Sequence, residues 1–196
     1  MRAFLAVPAD PSWSAAAGEL ASRLRRDVPR ASWARPEAWH LTLKFLGEVS
    51  EDDAGRLAGE LAPLAESLHA GSLPSGGALV LPPRGRPRVL AAGFAASDAG
   101  AALEELARRA DEAAARLGVE PERRPFRPHV TLARLRDPWP AAAVAAFRNA
   151  VDAAELPPFR CGACVLYSSR LDPSGAVHTP VRTLEFADRV RLEVGA

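Results

Sequence analysis

An α+β fold built from two similar lobes follows from three observations. The stretch His40-Leu41-Thr42-Leu43 is echoed 89 residues later by His129-Val130-Thr131-Leu132. Each copy alternates polar and apolar residues, the period of a strand with one wet and one buried face. Around both copies the elements come in the same order, strand, helix, His-x-Thr strand, helix, strand, at offsets of about 87 to 90 residues. The reading is a single domain over residues 1–196 with two pseudo-symmetric lobes, approximate repeats 1–81 and 88–170, and tail strands within 160–186. Each lobe is expected to be an antiparallel sheet flanked by helices, with the active-site cleft between them. A pseudo-twofold axis would bring the two His-x-Thr strands face to face across that cleft.

Arg2 to Val7 is an apolar run of strand length. Asp10-Pro11 opens a helix, with Asp as N-cap and Pro at the first helical position; Trp13, Ala17, Leu20, Leu24 and Val28 form its stripe, and Pro29 lies at its end. Pro36 to Trp39 leads into the first His-x-Thr strand, which ends at Gly47. Strict alternation places His40, Thr42 and Lys44 on one face and Leu41, Leu43 and Phe45 on the other. Ser50-Glu51-Asp52-Asp53 resembles a capping box and starts a helix with the stripe Leu57, Leu61, Leu64, Ala65 and Leu68. Ala78 to Leu81 and Val89 to Ala95 are strands on either side of a loop. Ser97-Asp98 caps a helix lined by Leu103, Leu106, Ala110, Ala113 and Leu117, which stops at Gly118. The Pro- and Arg-rich segment 121–128 delivers the second His-x-Thr strand. Asp137-Pro138 opens a helix over Ala141 to Val151, and two strands, Arg160 to Ser168 and Val177 to Phe186, are joined by the turn Asp172-Pro173-Ser174-Gly175.

Composition narrows the class. A chain of 196 residues that is 48% hydrophobic and 25% charged can bury a full core and is ordinary for a soluble protein. The N-terminal segment lacks the h-region of a signal peptide, and no apolar run nears the ~18 residues of a membrane helix. The expected location is the cytoplasm. A net charge of +1 excludes the global basic field of a duplex-DNA binder. Lys44 is the only lysine; arginines concentrate at Arg84, Arg86 and Arg88 and at Arg123, Arg124 and Arg127. Cys161 and Cys164 form a lone CxxC in a strand-like segment, where positions i and i+3 point to opposite faces. They read as ordinary thiols rather than a metal or redox pair, which would need further ligands or a helix N-terminus.

Histidine titrates near neutrality, at about pH 6.5, so one of two facing imidazoles can take a proton while the other gives one. Thr42 and Thr131, on the same faces as His40 and His129, can donate to non-bridging phosphate oxygens and stabilise charge developing between the rings. That arrangement suits in-line displacement at phosphorus and calls for no metal or other cofactor. A metal site on the same pair lacks an obvious third ligand, since His69 falls at a helix end and His178 in the tail.

His40-Leu41-Thr42-Leu43-Lys44-Phe45-Leu46-Gly47-Glu48 and Arg124-Pro125-Phe126-Arg127-Pro128-His129-Val130-Thr131-Leu132 resemble the paired HxTx motifs of the 2H phosphoesterase superfamily. They are most similar to those of the bacterial and archaeal RNA 2′,3′-cyclic phosphodiesterases, also called the 2′-5′ RNA ligase family. Arg2 to Val7 resembles the family's opening strand, and Leu166-Tyr167-Ser168-Ser169, Gly175 and Thr179-Pro180 its closing hairpin. The resemblance implies metal-independent hydrolysis of RNA 2′,3′-cyclic phosphate ends to 2′-phosphomonoesters, on tRNA fragments or small cyclic nucleotides. It assigns His40 as the proton donor to the departing 3′ oxygen and His129 as the base that activates water. Thr42 and Thr131 match phosphate-binding hydroxyls, and Arg127 a substrate contact. His178 departs from the tyrosine common at its position. The expected state is a monomer acting on RNA ends. Two other outcomes fit the same residues: 2′-5′ ligation, in which a 5′-hydroxyl replaces water, and a non-catalytic module that grips RNA ends through its arginines and Phe126.

Overall fold

The computed structural model describes residues 1–28, 30–69, 71–172 and 175–187. Strand β1 (Arg2–Pro8) is buried from Ala3 through Val7, so it lies inside a sheet rather than at an edge. Helix α1 (Pro11–Asp27) follows. Asp10 caps it by accepting from the amides of Ser12 (3.1 Å) and Trp13 (3.2 Å), and Pro11 fills the first position. Trp13, Ala17, Leu20, Ala21 and Leu24 are its buried stripe. A two-residue strand β2 (Ser32–Trp33) and a 3-10 turn (Pro36–Ala38) lead to β3 (His40–Glu48). Helix α2 (Glu51–Ser67) is capped by the Ser50 hydroxyl, which accepts from the Asp53 amide at 3.0 Å.

Strands β4 (Ser72–Leu73), β5 (Ser75–Leu81) and β6 (Val89–Phe94) precede α3 (Asp98–Arg116), capped by Ser97. Gly118, at φ +82°, ends this helix in a Schellman motif: the Val119 amide donates to the Ala114 carbonyl (3.1 Å) and that of Gly118 to Ala115 (3.0 Å). Then come β7 (His129–Arg134), α4 (Ala141–Asp152), β8 (Phe159–Arg160), β9 (Ala163–Asp172) and β10 (Gly175–Glu185). Helix α4 starts at Ala141, as expected, with Pro140 at its N-cap and no side-chain cap; Trp139 is buried just before it. Pro29 and the central residues of the Asp172-to-Gly175 turn, Pro173 and Ser174, lie outside the described residues.

The fold is α+β with two repeated units of antiparallel strands, as expected. How the units meet is different. They form one continuous sheet in the order β10-β9-β1-β3-β7-β6-β5, with β2 beside β7, and a separate pair β4-β8. The two His-x-Thr strands β3 and β7 are therefore neighbours joined at Leu41 and Val130, and do not face one another. The chain also exchanges strands between units. β5, from the first pass, lies at the far edge beside β6, while β9, from the second, pairs with β1.

The core lies between the helices and one face of this sheet. Its largest fully buried side chains include Trp13, Phe147, Phe159, Leu5, Leu41 and Leu132. Cys161 and Cys164 are also buried. Burial pushes both thiols up to about 12. No described helix is long and apolar enough to cross a membrane.

Candidate active site

The site occupies the open face of the sheet, at its midpoint. Leu41 and Val130 pair across β3 and β7 and point into the core. In an antiparallel ladder the residues on either side continue that register, so His40 stands opposite Thr131 and Thr42 opposite His129. All four therefore share the face away from the core, arranged around the local twofold axis. The structure thus brings together His40, Thr42, His129 and Thr131.

Each threonine also has an alanine as outer neighbour: Ala6 pairs with Thr42 and Ala91 with Thr131. Both alanines are fully buried, and these smallest side chains leave the space above the sheet open. Neither threonine hydroxyl has a partner among the described residues.

Each imidazole is held in the same way. His40 Nδ1 lies 2.7 Å from the Ala38 carbonyl and His129 Nδ1 2.6 Å from the Arg127 carbonyl. A carbonyl can only accept, so Nδ1–H donates in both. Nε2 is then left as the nitrogen that can take or give a proton. The orienting group is the backbone two residues upstream, and Ala38 performs it in the first motif as Arg127 does in the second. The exposed Arg127 side chain has no part in that bond.

The rings differ in environment. Burial, opposed by the bond to Ala38 and assisted by His178, Arg134 and His129, pushes His40 down to about 4. Phe4 lies beneath it, with ring centroids 4.8 Å apart, and His178 meets it edge-on at 5.3 Å. Burial also lowers the pKa of His178. Beside His40 opens a cavity of about 470 Å³ whose lining includes Pro8, Pro36, Trp39, Tyr167, His178 and Pro180, a size that suits a small-molecule site. Trp39 Nε1 and His178 Nδ1 are buried without hydrogen-bond partners, and both residues line this cavity.

Two strand bulges correct the alternation read from sequence. In β3, Thr42 pairs with Ala6 but Lys44 with Leu5, leaving Leu43 as the extra residue. A bulge turns two successive side chains to one side, and here Leu43 and Lys44 both face the core. Lys44 thus leaves the histidine face. Its Nζ, on a side chain only 5% exposed, donates to Asp111 Oδ1 at 2.5 Å and to the Glu120 carbonyl at 3.0 Å. Phe45 takes the open face instead and is 56% exposed.

The second strand repeats the device at Leu132, since Thr131 pairs with Ala91 and Ala133 with Leu90. The residue brought to the open face there is Arg134, the counterpart of Phe45 and a site residue the sequence reading missed. Strict alternation put it on the core side. The signal available was that a charge at that position would be buried unless the strand bulged. Antiparallel geometry sets Arg134 at the His40 end of the site and Phe45 at the His129 end.

No three His, Cys, Asp or Glu side chains lie together as a metal-ligand group among the described residues.

The fold is shared with E. coli LigT, whose crystal structure superposes with a TM-score of 0.67 at 23% identity over 95% of this chain and 97% of that one. The family model LigT like Phosphoesterase matches twice, over residues 7–91 and 94–178, and the chain belongs to this family. It is 34% identical over 131 residues to the RNA 2′,3′-cyclic phosphodiesterase of Geobacillus stearothermophilus, a match covering 67% of this chain and 41% of that relative. The relative of the same description from Methanothermobacter thermautotrophicus is 26% identical over 179 residues, covering 91% of this chain and 95% of the relative. The crystal structure of TT0787 from Thermus thermophilus superposes with a TM-score of 0.76 at 25% identity, over 96% of this chain and 100% of that one.

Proposed function

We propose that this chain hydrolyses the 2′,3′-cyclic phosphate at RNA ends to a 2′-phosphomonoester through its two histidines. The observation that carries the reading is the matched pair of Nδ1–H bonds to the Ala38 and Arg127 carbonyls, which leave one free Nε2 on each side of the local twofold. Naming of relatives as RNA 2′,3′-cyclic phosphodiesterases supports the substrate class.

In the proposed step His129 Nε2 takes a proton from water as the water oxygen bonds to phosphorus. The P–O3′ bond breaks, and the 3′ oxygen leaves with the proton of His40 Nε2. Thr42 and Thr131 donate to the non-bridging oxygens, with Arg134 adding charge at the His40 end. The acid must carry a proton although burial holds His40 near 4 in the free protein. The arriving phosphodiester supplies the opposite charge that raises it, so His40 loads as substrate binds. The nucleoside then lies on the His40 side, where the cavity walled by Trp39, Tyr167 and His178 receives it.

The test is phosphorus NMR of an oligonucleotide ending in a 2′,3′-cyclic phosphate, incubated with the protein and EDTA. A 2′-monoester is expected, with losses of about 10²-fold or more in His40→Ala and His129→Ala. Full activity in either variant would sink the mechanism, and a lengthened oligonucleotide would identify ligation instead.

A further inference from the structure

Five arginines gather where β7 leaves the site. Val89, at the start of β6, pairs with Arg134, and the Leu135 amide donates to the Arg88 carbonyl at 2.9 Å. The Arg86 guanidinium donates to the Arg136 carbonyl. These contacts bring the 84–88 loop alongside residues 134–136. Arg84, Arg86, Arg88, Arg134 and Arg136 are all exposed. None of them has an ion pair among the described residues, whereas Arg108, Arg109 and Arg116 on α3 are paired with glutamates. Asp137 is the one acid within this stretch, next to Arg136. Five cations without ion pairs among the described residues therefore stand at one edge of the site, in a chain with a net charge of only +1.

The position decides what they meet. Arg134 stands on the open face at the His40 end, and the other four continue outward from it. In the proposed reaction that end holds the ribose whose 3′ oxygen departs. The rest of an RNA strand is attached to the 5′ side of that ribose and must leave the cleft from the same end.

We infer that Arg84, Arg86, Arg88 and Arg136 form a track for the phosphates upstream of the cyclic end, making single-stranded oligoribonucleotides, rather than cyclic mononucleotides, the substrate class. This rests on the proposed activity for its direction. Guanidinium groups suit it, since they contact phosphate bidentately and retain their charge at any working pH.

The experiment compares the protein with Arg84→Ala/Arg88→Ala, using Arg84→Lys/Arg88→Lys to show that charge is what matters. Two substrates are followed, a 2′,3′-cyclic mononucleotide and a hexanucleotide with the same cyclic end. Binding of a 5′-labelled hexanucleotide bearing the 2′-phosphate is measured separately by anisotropy. Three engaged phosphates predict a slope of about −2 in log affinity against log salt, close to a 20-fold loss between 50 and 200 mM. The double alanine variant should flatten that slope by about 1.4 and weaken hexanucleotide binding and turnover, while mononucleotide turnover stays unchanged. Lysine should restore most of the loss. Equal affinity and equal slope in the parent and the alanine variant would overturn the track, as would displacement by an acidic peptide but not by RNA. Arginine-dependent binding without turnover of either substrate would refute the proposed activity and leave the track standing.

Discussion

His178→Phe tests the electrostatics beside the acid. The substitution keeps a flat ring against Phe4, whose centroid lies 4.8 Å from that of His178, and removes the ability to carry charge. His178 meets His40 edge-on, with centroids 5.3 Å apart. The other titratable group facing it from the neighbouring strands is Tyr167 on β9; β1 offers only Phe4. Two positive charges at that separation repel by about 3 kcal/mol at an effective dielectric near 20, and by about 0.8 kcal/mol if water screens them fully. The half-open cavity lies between those limits, so His40 should gain roughly 0.6 to 2 units of pKa when the second charge is removed. Burial also lowers His40 and is untouched by the change, so His40 should remain below its ordinary value. Histidine ring titrations followed by NMR give the shift in the free protein. The limb of the kcat/KM profile that His40 governs should move upward with it, and His178→Lys should move it down. An unchanged His40 titration in the Phe variant would refute the argument, because it would mean that the two rings do not share a charge environment.

Three further outcomes follow from the same geometry. Lys44→Met strands Asp111, whose carboxyl is held below its usual range despite its own burial by Lys44 and the Glu122 amide. Urea unfolding should show a loss of about 2–3 kcal/mol, less than the ~3–5 of a fully buried broken pair because Asp111 is 25% exposed. The Asp111 contribution in the parent is present above the unfolded carboxylate pKa and is lost as pH falls through the depressed folded value, so the variant's deficit should shrink in acid. Cys161 and Cys164, buried and pushed up to about 12, should resist iodoacetamide at pH 8 in the native protein and react after denaturation; rapid native labelling would contradict their placement. Asp10→Ala removes the α1 cap and the bond from the Arg160 amide at 2.9 Å, and thermal unfolding should report a loss of about 1 kcal/mol or somewhat more.

Much of the fold was legible because its signals are local. Asp10-Pro11, Ser50 and Ser97 announced helix starts through their own side chains, and Gly118 a helix end because glycine tolerates the left-handed conformation that closes a helix. The short pieces were not legible. β2, β4 and β8 are two residues each, too short for any periodicity, and exist because a partner strand happens to lie alongside.

The candidate site divides along the same line. The sequence by itself determined the two histidines, the two threonines and their duplication, because a period of two puts each pair on one face whatever the strand later joins. Only the tertiary structure decided that the strands are neighbours in one sheet, since strand pairing depends on partners far along the chain. It also decided what enters the site beyond the motifs. The bulges at Leu43 and Leu132 follow from register with β1 and β6, and they send Lys44 to Asp111 while bringing Phe45 and Arg134 to the open face. His178 reaches His40 because β10 closes the sheet beside β9, at 138 residues' remove in the sequence. Alternation within one strand carries no information about these events, because each is set by the hydrogen-bond ladder of another.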